Sequence, residues 1–391
     1  MDLQEFNNIL RAGVKTRASD IIFIAGQKPT LRAFDNFIEY QMKGLLTEED
    51  NNWIAEHVMN GRGVDWGSFT QAEVSFEEKE LARFRVSVCQ SRYQKVIVIR
   101  VIPTETRNFK DLNLPEQILD LTSLERGLVL VTGATGQGKS TTISTLIQEI
   151  NQSRKAFILT IEDPIEFIYE KNQSLIVQRE IGEDAGSYKE AIHHGLRQHP
   201  NIIFVGEIRD AETFEAVVTA AETGHLVFST IHTTDVVTTI NRILSFYPQS
   251  ERENVRVRLS SSLAAILSLR LLKRKIPTSD GRIPELCLIP ACELMTVSPS
   301  ISECLKLHEK LPEIEKTIER EGKGLSQGIV TKSFNFDQYI SKLLREGHIE
   351  LETAKAAATK ADEVNRQDIL EGNQVPALDP YKPMLKPKTQ T

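Results

Sequence analysis

The eight residues Gly133-Ala134-Thr135-Gly136-Gln137-Gly138-Lys139-Ser140 limit what this chain can fold into more than any other feature. They fit G-x-x-x-x-G-K-[ST], a loop that works where a β-strand hands over to a helix, and the apolar run Leu128 to Thr132 supplies the strand. The glycines let the backbone wrap a polyphosphate with its N–H groups, and the following helix adds the partial positive charge of its N-terminus. In such a loop Lys139 reaches the β and γ phosphates and Ser140 ligates Mg2+. Gly133, Ala134, Thr135, Gly136, Gln137, Gly138, Lys139 and Ser140, with Thr141 next to them, are therefore the predicted nucleotide-binding residues, and ATP with Mg2+ the predicted ligands.

Around this loop strands alternate with helical patterns. Leu128 to Thr132, Phe157 to Ile161, Ile202 to Val205 and Leu226 to Thr230 read as strands of a parallel α/β sheet. Ahead of it, Leu3, Phe6, Ile9 and Leu10 share one helix face, Ile21 to Ala25 is a compact strand, and Thr47 before Glu48, Glu49 and Asp50 marks a helix start. Ala72 to Phe76, Leu81 to Cys89 and Lys95 to Ile102 then read as an antiparallel sheet ending at Pro103. Glu251 to Leu272 and the stretch beyond Pro312 read as helical, with Phe334, Phe336, Ile340, Leu343 and Leu344 in one apolar stripe. Val375 to Thr391 carries four prolines and three lysines with almost no apolar periodicity, the composition of a disordered tail. The expected organisation is an α+β domain over 1–103, a linker over 104–121, an α/β core over 122–290, a helical region over 291–370 and a tail over 371–391.

Ligands of parallel sheets collect at the C-terminal ends of the strands, and three further groups are predicted there. Ile202 to Val205 delivers Gly206 and Glu207, which places Glu207 as the carboxylate that polarises an attacking water or holds the magnesium shell. Phe157 to Ile161 runs into Glu162-Asp163-Pro164-Ile165-Glu166, with Glu162 as a catalytic candidate and Asp163, like Ser140, as a Mg2+ ligand. Beyond Leu226 to Thr230 lies His232, where an imidazole can sense a γ-phosphate, a stronger candidate than His225. Arg209 and Asp210 read as a local ion pair.

The loop, the acidic Asp-Pro box, the Gly-Glu strand and the His-Thr box, in that order within Gly133 to Thr234, closely resemble the type II/IV secretion system ATPase family of the GspE/PulE kind. The stretches TIEDPIEF, QRE, VGEIRDAET, TGHLVFSTIHT and INRILSFYP, with ASDIIFIAG and RFRVSV nearer the N-terminus, are most similar to the PilT and PilU group of type IV pilus retraction ATPases. The resemblance runs from about residue 3 to residue 363. It implies a PAS-like N-terminal domain, a RecA-like ATPase domain with a helical C-terminal region, and a homohexameric ring in which hydrolysis turns each N-terminal domain against a neighbouring ATPase domain. It also implies that N-terminal arginines reach a neighbour's nucleotide, where charge must be neutralised in the transition state, with Arg85, Arg92 and Arg100 at the matching positions. The implied partners are an inner-membrane pilus platform protein and a paralogous pilus ATPase, and the implied output is pilus retraction and twitching motility.

Two places depart from the family pattern. His199-Pro200-Asn201 stands where an acid usually precedes the proline and an Asp follows it, and Ser300-Ile301-Ser302 stands where PilT-type motors usually carry Ala-Ile-Arg. The alternatives are a pilus assembly or type II secretion motor and, from another class, a weakly hydrolysing nucleotide-binding accessory protein.

Length and charge narrow the class further. A chain of 391 residues can build two domains, each with its own core. A net charge of -7 lacks the surplus of Lys and Arg that a mainly electrostatic nucleic-acid binder needs, so no nucleic-acid partner is expected. No apolar run approaches the ~18 to 20 residues of a membrane span, and the start MDLQEFNNIL has no basic-then-apolar leader. The expected place is the cytoplasm, at the cytoplasmic face of the inner membrane and held there through a partner only. Cys89, Cys287, Cys292 and Cys304 fit neither a zinc-site spacing nor a disulfide framework.

Overall fold

The computed structural model describes residues 1–16, 18–33, 36–59, 71–78, 81–92, 94–102, 108–276, 285–325 and 330–361, with backbone alone at 274–276 and 285–287. The tail expected over 371–391 lies outside the described residues. The chain divides into two compact units, Met1–Glu105 with Glu166–Ile168, and Thr106–Ile165 with Tyr169–Thr391.

In the first unit α1 (Leu3–Lys15) starts at Asp2, whose side chain accepts from the Glu5 N–H and satisfies one of the donors a helix start leaves unpaired. A sheet follows, made of β1 (Asp20–Ile24), β2 (Thr30–Ala33), β3 (Asn36–Glu39), β4 (Gln71–Glu78), β5 (Ala82–Ser91) and β6 (Gln94–Ile102), in the order β3-β2-β1-β6-β5-β4. Between β3 and β4 runs α2 (Glu48–Val58), opened by a capping box in which Thr47 and Asp50 bond each other's backbone. Successive strand residues face opposite sides. Phe84, Val86 and Val88 of β5 and Ile97 and Ile99 of β6 therefore enter the core with Phe6, Ile9 and Ile54, while Arg83 and Arg85 lie on the other face.

The second unit runs β7 (Gly127–Thr132), α3 (Lys139–Ser153), β8 (Phe157–Glu162), β9 (Leu175–Glu180), α4 (Tyr188–Leu196), β10 (Ile202–Val205), α5 (Ala211–Glu222), β11 (Leu226–Ile231), α6 (Val236–Ser245), α7 (Arg252–Ser262), β12 (Leu263–Ile276) and β13 (Glu285–Thr296). Its sheet has the order β13-β12-β7-β11-β10-β8-β9, parallel from β7 to β9. All residues of β7, β10 and β11 are buried, as happens when helices cover both faces of a parallel sheet. Helices α8 (Pro299–Lys306), α9 (Glu313–Glu321), α10 (Phe336–Arg345) and α11 (Leu351–Ala357) follow, with Phe334, Phe336, Ile340, Leu343 and Leu344 buried. The α+β first unit and the parallel α/β second unit agree with the fold class read from the sequence. Among the described residues no helix is long and apolar enough to cross a membrane.

The helix expected over Glu251 to Leu272 is a correction: it ends at Ser262, and from Leu263 the chain is β12, parallel to β7 and antiparallel to β13. The run is apolar at most positions because strands flank it and layers cover it, and periodicity does not sort such a run between strand and helix. β13 likewise continues to Thr296, so the first residues expected in the helical region are strand. The stretch expected as linker holds 3-10 helices at Phe109–Leu112 and Glu116–Ser123, with Phe109, Ile118 and Leu121 buried.

Candidate active site

The phosphate loop is shaped by β12 as much as by its own glycines. Gly136 (φ 79) and Gly138 (φ 88) take left-handed backbone conformations that side chains disfavour. Gly133 meets a second constraint, because a Cβ there would lie 2.8 Å from the Leu269 carbonyl oxygen of β12. The same strand donates the Leu271 N–H to Gln137 Oε1 at 2.5 Å, and its Ser268 accepts from Thr132 at 2.9 Å. α3 then begins at Lys139 without a side-chain cap, which leaves first-turn amides available for an anion. Ser140 and Thr141 are half-buried in that turn.

Lys139 is buried, and its ammonium donates to the carbonyls of Gly133 at 2.7 Å and Ala134 at 3.0 Å. It also lies 3.1 Å from His232 Nδ1. An ammonium has only donors, so Nδ1 accepts and the imidazole proton sits on Nε2. That Nε2 lies 3.2 Å from Glu207 Oε1. The second carboxylate oxygen accepts from Arg209 Nε at 2.9 Å, and Arg209 reaches Asp163 at 3.8 Å. Lys139, His232, Glu207, Arg209 and Asp163 thus form one chain of contacts. Register explains it: Thr132 aligns with Ile231 and Val205 with Ile161, so the residues just beyond these strands converge. The Glu207 side chain is 17% exposed against 61% for Arg209, so the carboxylate is the sheltered partner.

The expected pair between Arg209 and Asp210 is a correction. Asp210 caps α5, accepting from the Thr213 N–H at 2.8 Å, and Arg209 turns to Glu207 instead. The Glu-Ile-Arg spacing in a non-helical loop was the available signal. Glu162 sits one step back: it is buried and accepts from Thr160 Oγ1 at 2.8 Å and Gln178 Nε2 at 3.4 Å. The QRE stretch gains a physical reading, since Gln178 and Glu180 accept from the Tyr169 and Ile165 amides and pin the Asp-Pro loop. Tyr188 was not singled out in the sequence. Its hydroxyl lies 3.0 Å from where a Gly206 Cβ would be, and burial, then the nearby Asp163, hold its pKa above the usual phenol range. His225 is structural, with Nδ1 3.0 Å from the Ala220 carbonyl at the opposite end of β11.

Arg85 and Arg100 stand directly opposite each other on β5 and β6. Arg85 pairs with Glu73 at 2.5 Å and Arg100 with Asp20 at 2.9 Å. Arg92 sits exposed in the β5–β6 turn at φ 48. At ~3.3 Å per residue it is roughly 23 Å along β5 from Arg85, so it is not part of that cluster.

A phosphate loop, a sheltered carboxylate and an imidazole converging at the C-terminal edge of a parallel sheet define a P-loop nucleoside triphosphatase. Residues 68–345 match the family described as Type II/IV secretion system protein, and the chain belongs to that family. It is 35% identical to the type IV pilus retraction ATPase PilT of Pseudomonas aeruginosa, over 92% of this chain and 98% of that protein. It is 31% identical to the type IV pilus ATPase PilU of the same organism, over 92% of this chain and 90% of that one. A crystal structure of the pilus retraction motor PilT with bound ADP is similar with a TM-score of 0.81 at 35% identity, over 94% of this chain and 99% of that one.

Proposed function

We propose that this chain is an ATP-hydrolysing motor of a type IV pilus machine, working as a homohexameric ring that powers retraction. The contact chain from Lys139 through His232 to Glu207 carries the hydrolytic part. Similarity to PilT along nearly the whole of both proteins supports the mechanical part.

On ATP binding, Lys139 exchanges the Gly133 and Ala134 carbonyls for β- and γ-phosphate oxygens, and the first-turn amides of α3 complete the cradle. Glu207, held from both sides by His232 and Arg209, orients the attacking water and takes its proton. His232, bonded to both Lys139 and Glu207, reports the γ-phosphate to the base. The Ser140 hydroxyl and Asp163 carboxylate are hard oxygen donors of the kind Mg2+ takes, and the ion would neutralise charge on the β- and γ-oxygens. Arg85 and Arg100 supply guanidinium charge to a neighbour's nucleotide. The ring acts on an inner-membrane platform protein, beside a paralogous ATPase, at the cytoplasmic face of that membrane.

The departure at His199-Pro200-Asn201 does not favour the weakly hydrolysing alternative. Asn201 accepts from the Phe157 N–H and donates to the Phe157 carbonyl, both at 2.8 Å, at the start of β10. Glu207 lies beyond the opposite end of that strand. Deleting the gene and counting surface pili tests the direction: loss of a retraction motor leaves pili in place or in excess, without twitching. Loss of the pili would assign an assembly motor instead.

A further inference from the structure

Beyond the nucleotide-site chain, one buried carboxyl holds the segment that carries His232. After His232 the chain passes Thr233, Thr234 and Asp235 and enters α6 at Val236. Asp235 caps the helix by accepting from the Thr238 N–H at 2.7 Å. The Val236 N–H, at the first helical position, has no carbonyl within the helix to serve it. Glu293 of β13, 7% exposed, accepts that proton through Oε2 at 2.9 Å.

A carboxyl this deep is costly to bury unless it is paired. Burial pushes Glu293 up to about 7, with Asp235 and Glu315 acting in the same direction and the Val236 amide and Arg270 opposing. Charged or neutral, it still offers Val236 an acceptor oxygen. In the β12–β13 register Glu293 lies opposite Ser268, which accepts from Thr132 just before the phosphate loop, and Leu271 of β12 donates to Gln137 within that loop. One hairpin thus grips both the loop that carries Lys139 and the segment that carries His232.

We propose that Glu293 is a positioning residue: through the Val236 amide it fixes the start of α6, and with it the reach of His232 to Lys139 and Glu207. The proposal rests on the role given to His232 above. Glu293→Leu fills similar volume without an acceptor, Glu293→Gln keeps one, and Val236→Pro removes the donor at a helix position that suits proline. ATP turnover of the full chain is measured for each variant beside His232→Ala, together with hydrogen exchange over 231–240. Small misplacements of catalytic groups cost up to ~100-fold, so Glu293→Leu should lower kcat at least ~10-fold, with KM for ATP within ~3-fold. Exchange over 231–240 should quicken in that variant, and Glu293→Gln should restore kcat to within ~3-fold of the parent. If Glu293→Leu does not fold, Val236→Pro should show the same kcat loss. Unchanged kcat in a folded Glu293→Leu or Val236→Pro, while His232→Ala is impaired, overturns the positioning role alone. Unchanged kcat in His232→Ala overturns the role of His232 and this proposal with it. A Glu293→Gln variant as slow as Glu293→Leu also counts against it.

Discussion

At the C-terminal edge of the parallel sheet the charged groups share partners, so that Glu207 is held by His232 and Arg209 together and Arg209 also reaches Asp163. On the arginine-bearing face of the N-terminal sheet, Arg85 pairs with Glu73 and Arg100 with Asp20. Where partners are shared, a substitution at one member leaves its neighbours short of a contact. Where each arginine is already paired, it leaves only for a stronger acceptor, and a phosphoryl group in its transition state is one.

The two arginine pairs also differ from each other. The Glu73 side chain is 60% exposed and that of Asp20 only 6%. An exposed pair contributes roughly 0 to 1 kcal/mol, so Arg85 is released cheaply, whereas withdrawing Arg100 leaves a buried carboxylate with Ser19 and an Arg32 guanidinium 4.0 Å away. Arg85 is therefore the better placed of the two to act on a neighbour's nucleotide, and Arg100 the more tied to its own sheet.

The largest expected effect is on the shared-partner side. Lys139→Ala should abolish ATP turnover by the purified protein, since nothing else in the loop supplies its charge to the β and γ phosphates. Glu207→Gln should still bind a fluorescent ATP analogue yet turn over at least ~100-fold more slowly, the scale of losing a positioned base. Loss of binding in that variant would recast Glu207 as structural. On the paired side the readout is stability. Arg100→Ala should cost about 1 to 3 kcal/mol in a denaturant titration, because it takes the nearest cation from the buried Asp20 carboxylate. Glu73→Ala should change stability by no more than about 1 kcal/mol. Equal losses for the two would erase the distinction drawn between Arg100 and Arg85.

The positions along the C-terminal edge of the parallel sheet were legible in the sequence because the loop pattern and the apolar strands fix residue types at set spacing: Gly136 and Gly138 where the backbone turns left-handed, Lys139 at the helix start, Glu207 and His232 just past apolar strands. What it hid was set by tertiary contact. Leu263 onward reads as helix or strand equally well until β7 and β13 flank it. Arg209 had two neighbouring carboxylates to choose from, and the capping of α5 by Asp210 decided the matter. Tyr188 and Glu293 belong to no motif, and only the packing of α4 beside Gly206 and of β13 beside α6 brings them near the site.

Whether arginines of one subunit complete the site of the next is tested most directly by mixing two inactive proteins. An Arg85→Ala variant and a Lys139→Ala variant are each expected to be nearly inactive alone, on the scale of ~10³ or more for a lost arginine finger. In mixed rings some interfaces join an intact phosphate loop to a neighbour's intact arginines, and ATP turnover should partly return. No recovery, with mixed assembly confirmed, would contradict the shared site.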